Sequence, residues 1–451
     1  MTPSPLAASK IESIMQRSSS RSLPDAILFY GVFGMLWFGP LAFGAVEPWA
    51  IFILETGTAL LFILWAVRQS FSAELRFSFS PLFGPMLVYA VLVLLQMAMG
   101  LTAYRFATFL QALLYVSYGL LCFLVVQRLR RTWQVQTLAW GFSIFGFALA
   151  LFALVQGIAS NGKLYWLRTP RFGGWIYGPY VNHNHYAGLM EMLLPIPLVF
   201  LFTRYGSRLR KAAAALAAAL MASTIFLSGS RGGMLAFAAQ MTFFIAILLR
   251  QRKAGRMAFM LGVFLVLAIG LLAWLGGGEL VERIASIQSE ARTELSGAMR
   301  VNIDRDAIHM FRQRPLLGWG LGTFAEVYPQ FRSFYTNFFV DRAHNDYLQL
   351  LVEMGGLGFA TMLWFLVIVY YRASKKLKNW TVDTNGAVGL AAILGITGIL
   401  VHSFLDFNLQ IPANAALFYV LCTLAAMEPR FGLTRRTNYR RREASENSTA
   451  K

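Results

Sequence analysis

The sequence predicts an all-α fold: a polytopic membrane bundle of about 12 transmembrane helices, with a helical cap between spans 9 and 10. Of its 451 residues, 57% are hydrophobic and only 14% are charged. One soluble core could not bury so much apolar surface, whereas a bilayer solvates it. The net charge of +19 is divided into short basic clusters between apolar runs. That distribution is typical of membrane-protein loops and argues against a nucleic-acid-binding stripe.

Twelve apolar runs are long enough to cross roughly 30 Å of hydrocarbon. The Gly-rich text at 228–233 predicts a break between the seventh and eighth runs. Both cysteines lie inside apolar runs, so neither a disulfide framework nor a thiol metal site is predicted. The twelve runs lie at about 27–46, 49–67, 82–100, 106–127, 134–158, 186–203, 212–228, 232–250, 257–276, 345–371, 386–404 and 411–428.

The Lys and Arg residues predict the orientation, because they cluster in alternate connections and in both terminal segments. With an even number of spans, both termini are expected in the cytoplasm. The predicted parts are a cytoplasmic tail at 1–26, a transmembrane domain at 27–428 and a basic cytoplasmic tail at 429–451. The transmembrane domain includes an extracytoplasmic loop at 277–344. This loop is too long for a simple connection and contains segments with the periodicity of amphipathic helices.

Arginines are frequent on the predicted extracytoplasmic side, against the orientation bias. A guanidinium is a permanently charged, planar fork of donors that suits phosphate. The alternative is that each arginine binds anionic phospholipid or pairs with a nearby carboxylate. Arg231 is the strongest candidate, since a charge between two spans is costly without a partner, and the alternative for it is snorkelling. The candidates are Arg168, Arg171, Arg231, Arg300, Arg305, Arg312, Arg314, Arg332 and Arg342.

A polar group opens the tenth span: His344, Asn345, Asp346 and Tyr347. An imidazole whose ordinary pKa is about 6.5 can accept a proton from a hydroxyl at neutral pH. His344 is therefore a candidate base. The alternative is a residue that only caps the helix or packs at the interface.

Two further histidine-containing groups lie near the same side. Asn182, His183 and His185 precede the sixth span. Two histidines two residues apart do not share a helix face, so the group is expected to cap the helix or bind sugar hydroxyls rather than a metal. His402 and Asp406, at helical spacing near the end of the eleventh span, are expected to pair with each other or with an arginine.

A short acidic pattern in the long loop offers a metal hypothesis. Asp304, Arg305 and Asp306 have the spacing with which metal-dependent sugar transferases hold a divalent ion. Three-residue matches are common by chance, so this pattern is weak.

Together these residues resemble the O-antigen ligase and O-antigen polymerase superfamily of bacterial membrane glycosyltransferases. Its ligase pattern is a His-Asn pair, nine residues, then Gly and a second Gly three later. Here the pattern is His344-Asn345, Gly355 and Gly358. The turn around Arg231 is similar to the family's arginine between two spans.

The text from 300 to 324 is similar to the arginine-bearing part of the family's large periplasmic loop. The resemblance covers roughly 160–425. It implies a GT-C-like fold in a bacterial inner membrane, with the active site on the periplasmic side.

By this resemblance, the donor is a glycan on undecaprenyl diphosphate. Arg231 and Arg300 would hold the diphosphate, and His344 would activate the acceptor hydroxyl. One-step displacement would invert the anomeric configuration, and no metal or other cofactor is predicted. The predicted substrate-binding residues are Asn345, Asp346, Tyr347, Arg305, Arg342, Arg168, Arg171, Asn182, His183, His185 and Asp406.

Three functions remain open at this stage. A ligase would use lipid A–core as acceptor, and a polymerase would use a second lipid-linked glycan. The His-Asn and Gly-Gly spacing favours the ligase, whereas the text at 182–186 is more similar to exopolysaccharide polymerases. A lipid-linked glycan transporter would show a repeat and charges near the midplane. The sequence has no repeat, and its polar residues gather at one face.

Overall fold

The computed structural model describes residues 23–72, 77–129, 131–169, 176–250, 254–285, 297–337 and 339–427. The tail predicted at 429–451, most of the tail predicted at 1–26, and Arg171 lie outside these residues. Across the described ranges the chain is helical and contains no strand, only two isolated β-bridges. The predicted all-α class is confirmed.

Fifteen α-helices follow one another in the described ranges, with short 3-10 turns at Phe43–Ala45, Tyr328–Gln330, Leu377–Asn379 and Asn408–Gln410. The α-helices are α1 (Leu23–Leu41), α2 (Pro48–Ser70), α3 (Phe83–Ala98), α4 (Arg105–Arg128), α5 (Thr132–Ile158), α6 (His183–Leu193), α7 (Pro195–Phe202), α8 (Arg208–Leu227), α9 (Arg231–Leu249), α10 (Ala254–Ala285), α11 (Gly297–Gln313), α12 (Phe324–Val327), α13 (Asp346–Ser374), α14 (Thr384–His402) and α15 (Pro412–Ala426).

Nine helical segments of the described chain are long and apolar enough to cross a membrane. Three shorter apolar helices, α3, Ala258–Trp274 within α10, and α15, coincide with the remaining predicted spans. Only helices and closed barrels satisfy every backbone polar group in hydrocarbon, which is why apolar runs of this length become helices. The total of about 12 spans stays a prediction.

The helices differ in how deeply they are buried. In α6 and α7, 94% of the most apolar stretch is buried inside the protein, compared with 22% in α2. The exposed side chains of α2 are large and apolar, among them Phe52 and Leu60, which suits a surface that faces lipid. Helix α14 packs against α6, α7, α9 and α15. The central helices are therefore α6, α7 and α14.

The long loop predicted at 277–344 contains a small helical unit. Helix α11 buries Ile303, Ala307 and Met310, which share one helical face, against Phe324 of α12. Ile308 lies on the exposed side of the same helix. The predicted helical character of this loop is confirmed for its described residues, while its position on the outer leaflet stays a prediction.

Helix α13 is broken at Gly355, whose φ is 65° and ψ −171°. The loop that follows α11 enters the break. The Trp319 amide donates to the Val352 carbonyl at 2.9 Å, and the Gly356 amide donates to the Pro315 carbonyl at 2.7 Å. The backbone groups that the break would leave unpaired are thereby satisfied. A loop, rather than a neighbouring helix, makes this close approach.

Candidate active site

Four of the five histidines of the chain lie near one another and near Asp406. His183 and His185 begin α6, His344 precedes α13, and His402 ends α14. The other three histidines and Asp406 lie within electrostatic range of His185. Because helix ends carry the polar residues of an otherwise apolar bundle, the convergence of three ends creates a polar site.

His344 and Asp406 form the central pair of this histidine cluster. His344 Nδ1 lies 3.2 Å from Asp406 Oδ1, and only 1% of the Asp406 side chain is exposed. The ring of Phe407 makes edge contacts with His344 at 4.8 Å and with His185 at 4.7 Å between ring centroids. The aromatic ring restricts both imidazoles beside a buried carboxylate.

Arg300 reaches the same pair from α11. Its Nη1 donates to the Leu405 carbonyl at 2.8 Å. Burial raises the pKa of Asp406, but the hydrogen bond with His344 and the charge of Arg300 outweigh burial and hold that pKa well below its usual range. Asp406 therefore stays ionised at neutral pH and can only accept hydrogen bonds.

Two buried atoms of this group have hydrogen-bonding capacity to spare. Asp406 Oδ2 and Arg300 Nε have no hydrogen-bond partner among the described residues. Buried polar atoms in native proteins are nearly always paired, so each exception calls for an explanation. Both atoms belong to residues that interact electrostatically beside His344.

His344 has a left-handed backbone conformation with φ of 52°. For a residue other than glycine this conformation costs about 1–2 kcal/mol. It is fixed on both sides, because the Ala343 amide donates to Gln349 Oε1 at 3.1 Å and the Asp346 amide donates to the Ser403 carbonyl at 2.9 Å. Strain of this kind concentrates at functional sites. The strained backbone at His344 therefore favours a role for its imidazole beyond packing.

The next three residues fasten the start of α13. The Asn345 side chain accepts hydrogen bonds from two amides of the first turn, at 3.1 and 3.2 Å. Asp346 accepts from the Ser403 hydroxyl at 2.8 Å, and the Tyr347 hydroxyl donates to the Leu400 carbonyl at 2.6 Å. These contacts position His344. Substrate binding by the three residues stays a prediction.

The predicted break before Arg231 is present. Helix α8 ends at Leu227, and α9 begins at Arg231 with Ser230 as its N-cap. The next residue, Gly232, lies so close to the His402 ring that a side chain on it would collide with the imidazole. The backbone that carries Arg231 is thus packed onto the histidine cluster.

His402 pairs with Glu191, not with Asp406. His402 Nδ1 lies 2.8 Å from Glu191 Oε1, and both side chains are almost completely buried. The predicted pairing of His402 with Asp406 or an arginine is wrong, since α14 turns its histidine towards α6. Asp406 itself does lie within electrostatic range of an arginine, Arg300. Glu191 is not among the residues predicted from the sequence, although an acid inside an apolar run is itself a signal of a functional site.

The start of α6 joins the cluster to the turn before Arg231. Asn182 caps α6 by accepting from the Asn184 amide at 2.8 Å, as predicted. His183 Nδ1 lies 2.8 Å from the Ser228 carbonyl. His183 therefore links α6 to the end of α8. Sugar binding by Asn182, His183 and His185 stays a prediction.

Three predicted arginines have other surroundings. Arg168 pairs with Glu47 at 2.5 Å. Arg305 is exposed on α11, on the face opposite its buried apolar residues. Arg342 lies within electrostatic range of Glu353 in α13. Substrate binding by these three arginines stays a prediction.

Asp304 and Asp306, the two carboxylates of the metal hypothesis, have different surroundings. Asp304 lies one helical turn from Arg300, and the Asn345 side chain donates a hydrogen bond to Asp304. Asp306 instead accepts from the Tyr328 hydroxyl at 3.1 Å. The two carboxylates have separate partners. Within the described ranges, no group of three or more His, Cys, Asp or Glu residues is arranged to hold a metal ion.

The protonation of Asp304 is expected to affect the site near pH 6. Burial raises the pKa of Asp304 to about 6, although Asn345, His344 and Arg300 act in the opposite direction. As pH falls through this value, the carboxylate becomes neutral and no longer balances the neighbouring positive charges. Asp304→Asn should therefore flatten the acid limb of the pH–activity profile between pH 5 and 7. An unchanged limb would assign it to another group.

Apolar cavities begin beside the polar cluster. One of about 100 Å³ is lined by Asp346, Ser403 and Gln410 together with apolar side chains. It shares Tyr115 and Tyr419 with a cavity of about 470 Å³ between α3, α4, α13 and α15. The two cavities therefore share part of their walls, and the smaller one lies beside the start of α13.

Comparison with known families covers the middle of the chain. Residues 216–363 match the family described as O-antigen ligase. The match is narrower than the resemblance at 160–425, but it includes Arg231, Arg300 and His344. It supports the family resemblance that the motifs indicated. No curated protein matches the chain.

Proposed function

We propose that this chain, a multi-pass membrane protein of the O-antigen ligase superfamily, transfers a glycan from an undecaprenyl-diphosphate donor to an acceptor hydroxyl. The proposed acceptor is lipid A–core, at the periplasmic face of a bacterial inner membrane, with both termini cytoplasmic. The observation that carries the proposal is the His344–Asp406 pair beside Arg300. His344 and Arg300 both fall in the matched segment.

His344 has the geometry of a general base in this proposal. Ionised Asp406 can only accept, so His344 Nδ1 donates to it and Nε2 is left with a lone pair. The acceptor hydroxyl oxygen attacks the anomeric carbon, and its proton passes to Nε2. The bond from that carbon to the diphosphate oxygen breaks, and its electron pair leaves with the diphosphate. Asp406 stabilises the imidazolium that forms.

The arginines supply the positive charge that the leaving group needs. A diphosphate gains negative charge as the glycosidic bond breaks, and fixed guanidiniums stabilise that charge without reorganising. Arg300 acts electrostatically on Asp406, the partner of the base, and Gly232, the residue after Arg231, packs against His402. The two adjacent apolar cavities are suited to the polyprenyl chain of the donor. Inversion at the anomeric carbon follows from the single displacement.

Loss of the Arg300 charge is expected to reduce transfer strongly. Arg300→Gln should lower the transfer rate by about 10²–10³-fold, the usual effect of removing one stabilising donor. Arg312→Gln is a matched control because it removes the same charge from an exposed position of the same helix. Initial rates in membranes with equal protein levels provide the measurement. Equal rates for the two variants would contradict the role of Arg300.

A polymerase that extends a lipid-linked chain is the second candidate, favoured by the group at 182–186 beside Phe407. Product analysis distinguishes the two. Purified protein is supplied with lipid-linked glycan, with and without lipid A–core. A ligase gives one addition that requires lipid A–core, whereas a polymerase gives a ladder of products from the donor alone. Movement of the donor across vesicles without a new glycosidic bond would support a transporter.

A further inference from the structure

A groove on the outer surface of α5, α7 and α8 lies far from the histidine cluster. At one end of α8, Ser228 contacts His183 of the cluster. The groove lies at the other end, beside Arg210 and Lys211. A helix of this length spans about 30 Å, so the groove is separate from the proposed active site. Ligand binding in the groove is therefore independent of the proposed function.

The floor and walls of the groove are largely apolar and aromatic. One face of α5 supplies Trp133, Trp140 and Ile144, and the space has a volume of about 650 Å³. Trp140 stacks on Phe200 of α7 with ring centroids 5.6 Å apart and an angle of 10° between the rings. Trp133 and Ile144 are 49% and 62% exposed, so the groove opens towards the lipid. The space has the size of a small-molecule site.

One end of the groove is basic. Lys211 is held there because its Nζ donates to the Thr203 carbonyl at 2.7 Å. Arg210 is exposed at the rim, one residue before it. The described lining residues include no acid that would neutralise these two charges. Basic residues between membrane helices, beside interfacial tryptophans, are the usual setting for an anionic lipid headgroup.

We propose that this groove binds an anionic glycerophospholipid. Its phosphate lies at Arg210 and Lys211, and one acyl chain follows Trp140 and Ile144. Charge complementarity selects the anionic headgroup, and the apolar floor selects a lipid over free phosphate. The basic residues at 204–211 predict that this end of the bundle is cytoplasmic, where anionic lipids are available.

The test uses the full chain purified in detergent and native mass spectrometry with phosphatidylglycerol or phosphatidylcholine. Wild-type protein should retain phosphatidylglycerol preferentially. Arg210→Gln and Lys211→Gln should each weaken that retention by about fivefold, as expected for one charge near a membrane surface. Arg208→Gln is the matched control, because it removes the same charge from an exposed residue outside the groove. It should change retention less than twofold.

The acyl-chain half of the proposal is tested separately. Trp140→Ala should weaken retention of both lipids, and glycerol 3-phosphate should not compete with phosphatidylglycerol. The proposal is overturned by equal retention of the two lipids, by equal losses in the Arg208 and Arg210 variants, or by full retention in Trp140→Ala. Competition by glycerol 3-phosphate would identify a phosphate site without a lipid chain, which also overturns it.

Discussion

His344→Ala is expected to lower glycan transfer by about 10²–10⁴-fold, the range for loss of a positioned general base. The imidazole is the group that can accept the proton of the acceptor hydroxyl, and Asp406 holds it at 3.2 Å. Transfer is measured in membranes that contain equal amounts of inserted protein.

His309→Ala is the control for this variant. His309 is the remaining histidine of the chain and lies outside the cluster. The centroid of its ring is 5.5 Å from that of the Phe331 ring. Its replacement should leave transfer within about twofold, as expected for an exposed residue remote from the reacting groups. Undiminished transfer by correctly inserted His344→Ala would remove the imidazole from the mechanism, whatever the topology.

Asp406→Asn distinguishes a base from a residue that only orders the loop. The neutral amide cannot stabilise an imidazolium, although it has nearly the same shape as the carboxylate. If His344 accepts the proton, transfer should fall in Asp406→Asn while thermal stability changes little. A parallel loss of both would indicate that the pair is structural.

The membrane-helix pattern could be predicted from the sequence because hydrocarbon leaves few choices of backbone structure. An apolar run must become a helix to satisfy its own amides, so the helices and the break before Arg231 follow from the local amino-acid sequence. The position of His344 at the start of α13 follows for the same reason. These features need no knowledge of how the helices pack.

The pairings could not be predicted, because packing brings together residues that are far apart in the sequence. Glu191 and His402 are separated by 211 positions, and only the contact of α6 with α14 joins them. The same limit applies to Asp304, whose partner Asn345 lies on another helix. The His402–Asp406 prediction failed since helical spacing indicates neighbours within one helix, whereas α14 ends between them.

Gly355 illustrates the limit most clearly, because a glycine in an apolar run reads as a small residue for close helix packing. Its actual role is to break α13 in a backbone conformation that is essentially restricted to glycine. A side chain there would collide with the Leu316 carbonyl of the inserted loop. This contact joins the loop that follows α11 to α13.

Gly355→Ala is accordingly expected to destabilise the protein by at least about 3 kcal/mol, from backbone strain and overpacking together. Transfer should also fall, because the first turn of α13 positions His344. Gly262→Ala is the matched control: Gly262 is inside α10, and a side chain there meets nothing within 4 Å. The control should be neutral or slightly stabilising, since alanine favours helix more than glycine does.

Thermal unfolding in detergent and transfer rates in membranes measure the two effects separately. If Gly355→Ala unfolds at the same temperature as the control, the loop does not occupy the break in the folded protein. If Gly355→Ala is destabilised yet transfers glycan at the wild-type rate, the break serves folding alone. A loss of both is the expected result, because the break at Gly355 holds the loop and α13 carries His344 at its start.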